Sequence, residues 1–139
     1  ASFAIDQHAL AVGAPLDADR GLNSGAVHVF HLNSTRVTPH AKLFAASPQA
    51  DAEFGTSVSI DDFLLAVGAP YAGENNQGAV TVFHSSSSRW SPFRTVRPTV
   101  DTAFFGIAVD LHDDDLVTGS PAYGASPGAG FVHDVRSTP

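Results

Sequence analysis

The chain has 139 residues, of which 43% are hydrophobic and 15% are charged, a balance typical of a folded globular protein. Seven Lys and Arg residues against fourteen Asp and Glu residues give a formal net charge of −7, which excludes a basic surface for nucleic acid or anionic lipid. The longest apolar stretch, residues 63–70, is far shorter than the roughly 20 residues of a membrane-spanning helix, so we expect no membrane insertion.

One pattern of short segments occurs three times along the chain. Each copy has an alternating segment, then an apolar segment ending in Gly-Ala-Pro or Gly-Ser-Pro, a polar loop, and a Gly-Ala segment rich in valine. Two copies continue into a weaker fourth segment that contains a proline. The segments fall at 2–6, 10–15, 25–30 and 36–43, then at 54–62, 64–70, 78–83 and 89–96, and finally at 105–109, 116–121 and 128–132.

These segments have the properties of β-strands. Residues 57–60 alternate polar and apolar side chains, as a half-buried strand does, and residues 64–67 are continuously apolar, as in a strand covered on both faces. Pro39 and Pro92 place the fourth segment at a sheet edge, where a missing N–H is tolerated. A period near 50 residues with four strands per copy predicts the blades of a β-propeller. The predicted fold is all-β, with three four-stranded antiparallel blades.

Phe54-Gly55 and Gly68-Ala69-Pro70 carry a resemblance to the FG-GAP repeat family. The resemblance extends over nearly the whole chain and implies a propeller, usually of seven blades, on secreted or cell-surface proteins such as integrin α-subunits. It therefore implies an extracellular or cell-surface location and a non-enzymatic role. Under this interpretation the motif residues build the fold rather than bind a ligand.

We predict one repeat domain over residues 1–139, with repeats at about 1–53, 54–104 and 105–139. Three blades form an incomplete ring, because propellers need about four to eight, and the third repeat is expected to lack its fourth strand. The exposed blade edges would bind other copies of the chain or further blades, forming a ring or a surface filament. The predicted assembly edges are Ala1, Ser2, Phe3, Phe131, Val132 and His133. The alternative is a ligand-binding propeller that recognises a glycan or protein through loops 17–23 and 71–76.

Many members of the family carry a calcium loop between the first two strands, but here the corresponding turns at 6–8, 61–63 and 112–115 are too short. The chain thus resembles the subset that lacks this loop, and no cofactor is expected from it. Asp17, Asp19 and Asn23 place three oxygens at alternating positions in a different loop and are the candidate calcium ligands. The alternative for that loop is a solvated turn that caps its own backbone.

Three further features have weaker functional interpretations. Asn33-Ser34-Thr35 is an N-glycosylation sequon in a strand-connecting loop. Ser126 has the spacing of a nucleophile elbow, but the next residue is proline, which has no N–H for an oxyanion hole, so no catalytic residue is predicted. The aromatic residues Trp90, Tyr71 and Tyr123 are candidates for stacking on a sugar.

Overall fold

The structure is a computed structural model that describes residues 1–87, 89–100, 102–123 and 127–135. The first sheet has the order β1-β2-β3-β4 and is antiparallel throughout. Its four strands are consecutive in the chain, so each turn joins neighbours, as in a propeller blade. We call this sheet blade 1; it consists of β1 (Ser2–Ile5), β2 (Ala9–Ala14), β3 (Ala26–Leu32) and β4 (Val37–Leu43).

Blade 2 repeats this arrangement with the order β5-β6-β7-β8. A short 3-10 turn at Glu74–Asn76 lies in the loop before its third strand. The continuously apolar strand is buried along its whole length, as predicted from its sequence. The strands of blade 2 are β5 (Ser57–Asp61), β6 (Leu64–Ala69), β7 (Ala79–Ser86) and β8 (Arg89–Val96).

Three strands of blade 3 are described, in line with the expectation that the third repeat lacks its fourth strand. The described strands beyond blade 2 are β9 (Thr102–Ala103), β10 (Ala108–His112), β11 (Asp115–Ser120), β12 (Ala122–Tyr123) and β13 (Ala129–Asp134). Blade 3 is the sheet β10-β11-β13, and β9 pairs separately with β12. The all-β prediction with three antiparallel blades in an open ring is confirmed.

The register is the same in all three sheets. Gly13 lies opposite Ser2 in blade 1, Gly68 lies opposite Ser57 in blade 2, and Gly119 lies opposite Ala108 in blade 3. Since a shift of one residue would turn every apolar side chain to the other face, this shared register gives the three blades the same two faces.

The outer strands β4 and β8 are irregular at their prolines. Pro39 lies opposite Phe30 where the β3–β4 register shifts, and Pro92 lies opposite Phe83 where the β7–β8 register shifts. Each shift leaves one extra residue on the outer strand, which is a β-bulge. The predicted edge position of both prolines is confirmed.

Two apolar cores lie between the blades rather than within one. The first joins Ala11 and Val29 of blade 1 to Leu65 and Phe83 of blade 2. The second joins the opposite side of blade 2 to blade 3, and its members are Leu64, Ala66, Val80, Val82, Val96, Phe105, Leu111, Leu116 and Val135. Burial of apolar area between blades is therefore what holds consecutive repeats together.

Candidate functional site

Each blade has two different faces, and consecutive blades use them in a fixed order. We call the face that carries Ile60, Leu65 and Phe83 in blade 2 the leading face, because it packs on the preceding blade. The face that carries Ala66 and Val82 is the trailing face, which packs on the following blade. The leading face of one blade thus always meets the trailing face of the blade before it.

A Phe-Gly dipeptide fastens blade 2 to blade 1. Phe54 is fully buried, and its N–H donates to the carbonyl oxygen of Ser24 at 3.1 Å. A Cβ atom on Gly25 would lie 2.0 Å from the carbonyl oxygen of Phe54, and one on Gly13 would lie 2.0 Å from that of Gly55. The dipeptide therefore occupies a crevice that only glycine leaves open.

The junction between blades 2 and 3 repeats this geometry. A Cβ atom on Gly78 would lie 2.1 Å from the carbonyl oxygen of Phe105, and one on Gly68 would lie 2.0 Å from that of Gly106. Ser57 Oγ donates to the carbonyl oxygen of Gly106 at 2.8 Å, just as Ser2 Oγ donates to that of Gly55 at 3.0 Å in the first junction. The motif glycines and phenylalanines thus lie within the blade junctions.

The leading face of blade 1 has no described blade against it. Phe3 is 76% exposed and Ile5 is 67% exposed, whereas Ile60, the counterpart of Ile5 in blade 2, is 8% exposed. Leu10 and Phe30 on the same face are partly buried. The corresponding faces of blades 2 and 3 pack on the preceding blade, whereas this apolar face is largely open.

The predicted assembly edges divide into two groups. Ala1, Phe3 and Val132 are exposed, and Val132 lies on the trailing face of blade 3. The ring of Phe131 lies 5.5 Å from that of Phe105, and the ring of His133 lies 6.0 Å from it. Phe131, His133 and Ser2 therefore line junctions within the chain, while the exposed group remains available to another blade.

Two of the three candidate calcium ligands form ion pairs with a lysine. Lys42 Nζ on β4 lies 2.7 Å from Asp17 Oδ2 and 2.5 Å from Asp19 Oδ2. The hydrogen bond from Lys42 lowers the pKa of Asp17 below its ordinary 3.8. Asn23 does not join them, because its Nδ2 donates to Asp51 Oδ1 at 2.9 Å. Calcium binding here stays a prediction, and it requires displacement of the ammonium group.

Two clefts lie at the rim opposite to loop 17–23, where the first and second strands of a blade are joined. One, of about 280 Å³ between blades 1 and 2, is lined by His8, His31, Phe63, Ser85 and Trp90 among others. Phe63 is 65% exposed there. The sequence did not predict this cleft, because the residues that line it come from two different repeats. The one signal in the sequence was that the turns between the first and second strands recur at equal positions, which places them at the same rim.

The second cleft, of about 480 Å³, is acidic. The turns Asp61–Leu64 and Asp113–Asp115 line it, and the N–H of Asp113 donates to Asp61 Oδ2 at 2.6 Å. Asp62 and Asp113 have φ angles of 51° and 53°, which aspartate tolerates in tight turns. Within residues 1–87, 89–100, 102–123 and 127–135, no three His, Asp or Glu side chains are grouped closely enough to hold a metal ion.

The repeat motif and its place in the junctions agree with a family comparison. A family model described as FG-GAP repeat matches residues 1–30 and 37–83, more than half of the chain. The chain belongs to the FG-GAP repeat family. A search of curated proteins finds no match to it. The family match ends at residue 83, but blade 3 continues the same register and the same Phe-Gly junction.

Membership of the FG-GAP family gives the coarse functional class. FG-GAP repeats form propeller-type modules, are typically extracellular, often serve adhesion or ligand binding, and are generally not enzymes. In the described part of the chain, no helix is long and apolar enough to cross a membrane. The Ser126 motif lies outside the described residues.

The remaining predicted residues of this FG-GAP chain lie as follows. Asn33 is exposed in the β3–β4 turn, where its Oδ1 accepts from the Thr35 N–H at 3.0 Å. Trp90 is buried in the first core, and the Tyr71 ring packs against Phe104 at 5.3 Å, which removes both from easy stacking on a sugar. Asn33 is thus accessible for modification, and part of Trp90 lines the 280 Å³ cleft. The side chain of the third candidate, Tyr123, lies outside what the structure describes.

Proposed function

We propose that this chain is an extracellular structural or adhesive module that assembles by packing its outer blade faces on further blades of neighbouring chains. The observation that carries the proposal is the exposure of Phe3 and Ile5 on a face that is covered in both other blades. Covering such a face removes apolar side chains from water, which is the main favourable term in association.

The order of the faces also favours repeated association. In both junctions a leading face packs on a trailing face, so two copies would meet through different surfaces. Each copy that is added would then expose a further free face for the next copy. A contact of this type gives a ring if the rotation closes and a filament if it does not. No catalytic residue takes part, since the role rests on packing alone.

Light scattering of the purified chain over a wide concentration range, with negative-stain microscopy, tests the proposal. We expect assemblies whose melting temperature rises with protein concentration, because binding stabilises the folded state. Ile5→Ser should shift the population toward monomers, whereas Leu22→Ser, at an equally exposed loop position, should not. A folded monomer with a concentration-independent melting temperature would contradict self-assembly.

A second candidate function is ligand recognition at the cleft between blades 1 and 2. The cleft combines the exposed ring of Phe63 with the polar side chains of His8, His31 and Ser85, a mixture suited to a glycan or a peptide. It lies at the rim opposite to loop 17–23, whose carboxylates are held by Lys42. Binding on a glycan array that Phe63→Ala abolishes, with folding retained, would favour this function over assembly.

A further inference from the structure

Two histidines on neighbouring strands of blade 1 pack ring against ring. His31 lies on β3 and His40 on β4, and their ring centroids are 3.9 Å apart with the ring planes tilted by 53°. Both side chains are half-buried. Since each imidazole carries two nitrogen atoms that can serve as ligands, the pair brings nitrogen donors from two strands to one point of the sheet.

The β-bulge in β4 brings the two rings together. His40 is the extra residue of this bulge, since Pro39 and Ala41 on either side of it lie opposite consecutive residues of β3. A bulge re-aims the side chain of its extra residue, and here that ring lies against the ring of His31. The ladder of backbone hydrogen bonds between the two strands is interrupted at the same point.

The corresponding bulge in blade 2 has a different pair of rings. His84 on β7 corresponds to His31, and both residues follow the dipeptide Val-Phe. Phe93 on β8 corresponds to His40, and its ring lies 6.2 Å from that of His84. A phenyl ring has no nitrogen donor, so blade 1 carries two imidazoles at positions where blade 2 carries one.

Both imidazoles can be reached from solvent. His31 lines the cleft of about 280 Å³ between blades 1 and 2, and His40 lines a further cleft of about 300 Å³ beside the bulge. An ion can therefore approach the pair without opening either apolar core. The net charge of −7 favours the approach of cations in general.

The donor atoms of the pair determine which class of ion it suits. Imidazole nitrogen binds Ni²⁺, Cu²⁺ and Zn²⁺ well, whereas calcium prefers the oxygen ligands that loop 17–23 offers. In the part of the chain that the structure describes, no third His, Asp or Glu side chain is close enough to join the pair. Water would complete the coordination, as it does at the open position of a catalytic zinc site. With two protein donors the ion exchanges readily with the buffer.

We propose that His31 and His40 form a binding site for a divalent transition-metal ion of the class that prefers imidazole, with one nitrogen from each ring and water in the remaining positions. Rotation of the two rings out of their packed arrangement turns one nitrogen of each toward the ion. The bound ion joins β4 to β3 at the bulge, where the backbone ladder is interrupted. The inference is independent of the proposed assembly, because both ligands belong to one blade of one chain.

A Ni²⁺ titration of the chain, first freed of metal by a chelator, tests the site. Trp90 provides the signal, because the only tryptophan of the chain lines the same cleft as His31 and bound Ni²⁺ quenches nearby tryptophan fluorescence. We expect saturable quenching of the wild type and an affinity at least about tenfold lower in His40→Phe, which lacks one ligand. His84→Ala removes the corresponding histidine of blade 2 and should leave the affinity unchanged.

The His40→Phe variant carries the residue that blade 2 has at the same bulge position, so we expect it to fold. In chelator its melting temperature should stay close to that of the wild type, and added Ni²⁺ should raise the melting temperature of the wild type alone. Equal quenching curves for the wild type and His40→Phe, or no saturable quenching of the wild type, would overturn the assignment. Weaker binding by His8→Ala with unchanged binding by His40→Phe would place the ion in the cleft and also refute the pair.

Discussion

Replacing Phe105 with alanine tests whether the Phe-Gly junction stabilises blade 3. The Phe105 ring is fully buried, belongs to the core between blades 2 and 3, and lies 5.5 Å from the ring of Phe131. Removing a buried ring costs its transfer free energy and leaves a cavity, about 3–5 kcal/mol in total. That is a large part of the roughly 5–15 kcal/mol that stabilises a typical domain. Phe63→Ala, at an exposed ring, should change stability by at most about 0.5 kcal/mol.

Urea unfolding with two probes measures the effect and locates it. Trp90 is the only tryptophan and lies in the core between blades 1 and 2, so its fluorescence reports on that junction. Far-UV circular dichroism reports on all three sheets. In Phe105→Ala we expect circular dichroism to change at lower urea than tryptophan fluorescence, because the described core of blade 3 packs on blade 2 and this junction is the one that the substitution weakens.

The result that would refute this reasoning is a loss below about 1 kcal/mol with coincident transitions. Such a result would mean that the buried dipeptide contributes little and that blade 3 is held by other contacts. A loss of the predicted size with coincident transitions would keep the energetic argument and show that the three blades unfold as one cooperative unit.

Four further results are expected. Gly68→Ala should lower the free energy of unfolding by about 1–3 kcal/mol in urea titrations, because its methyl group would collide with the next blade, and an unchanged midpoint would contradict the junction geometry. Burial lowers the pKa of His133, so folded stability should be complete above pH 6.5 and fall below it, and His133→Gln should remove this pH dependence of the melting temperature. A chelator should leave wild-type melting unchanged, and calcium should stabilise only Lys42→Ala, where the ammonium no longer holds Asp17; calcium stabilisation of the wild type would show that the ion displaces the lysine. Expression in eukaryotic cells should add a glycan at Asn33, seen by mass spectrometry as a mass that Asn33→Gln lacks.

Much of the fold was predictable because it repeats. The recurrence of Gly-Ala-Pro fixed the register of β2 and β6, and continuous apolarity identified β6 as a strand covered on both faces. The prolines at positions 39 and 92 correctly marked the outer strands. These features depend on neighbours in sequence or on a fixed period, so one chain suffices to detect them.

Contacts between repeats were less predictable, since they depend on which faces meet. The sequence grouped Asp17 and Asp19 with Asn23, but the partner that joins the two carboxylates is Lys42 on β4, and Asn23 pairs with Asp51 in the segment that leads to blade 2. The short pair β9–β12 has only two residues in each strand, too few for a detectable alternation. These contacts join residues that are far apart in the sequence, and a local sequence pattern does not encode such pairs.

The proline bulges in β4 and β8 affect how copies of the chain can approach each other. An outer strand with free N–H and C=O groups can pair sideways with the same strand of another molecule, which is a common route to aggregation. Pro39 and Pro92 remove a donor in the middle of each outer strand and bend it at that point. The two prolines therefore disfavour lateral growth by sheet extension, and the proposed assembly would proceed through the blade faces instead.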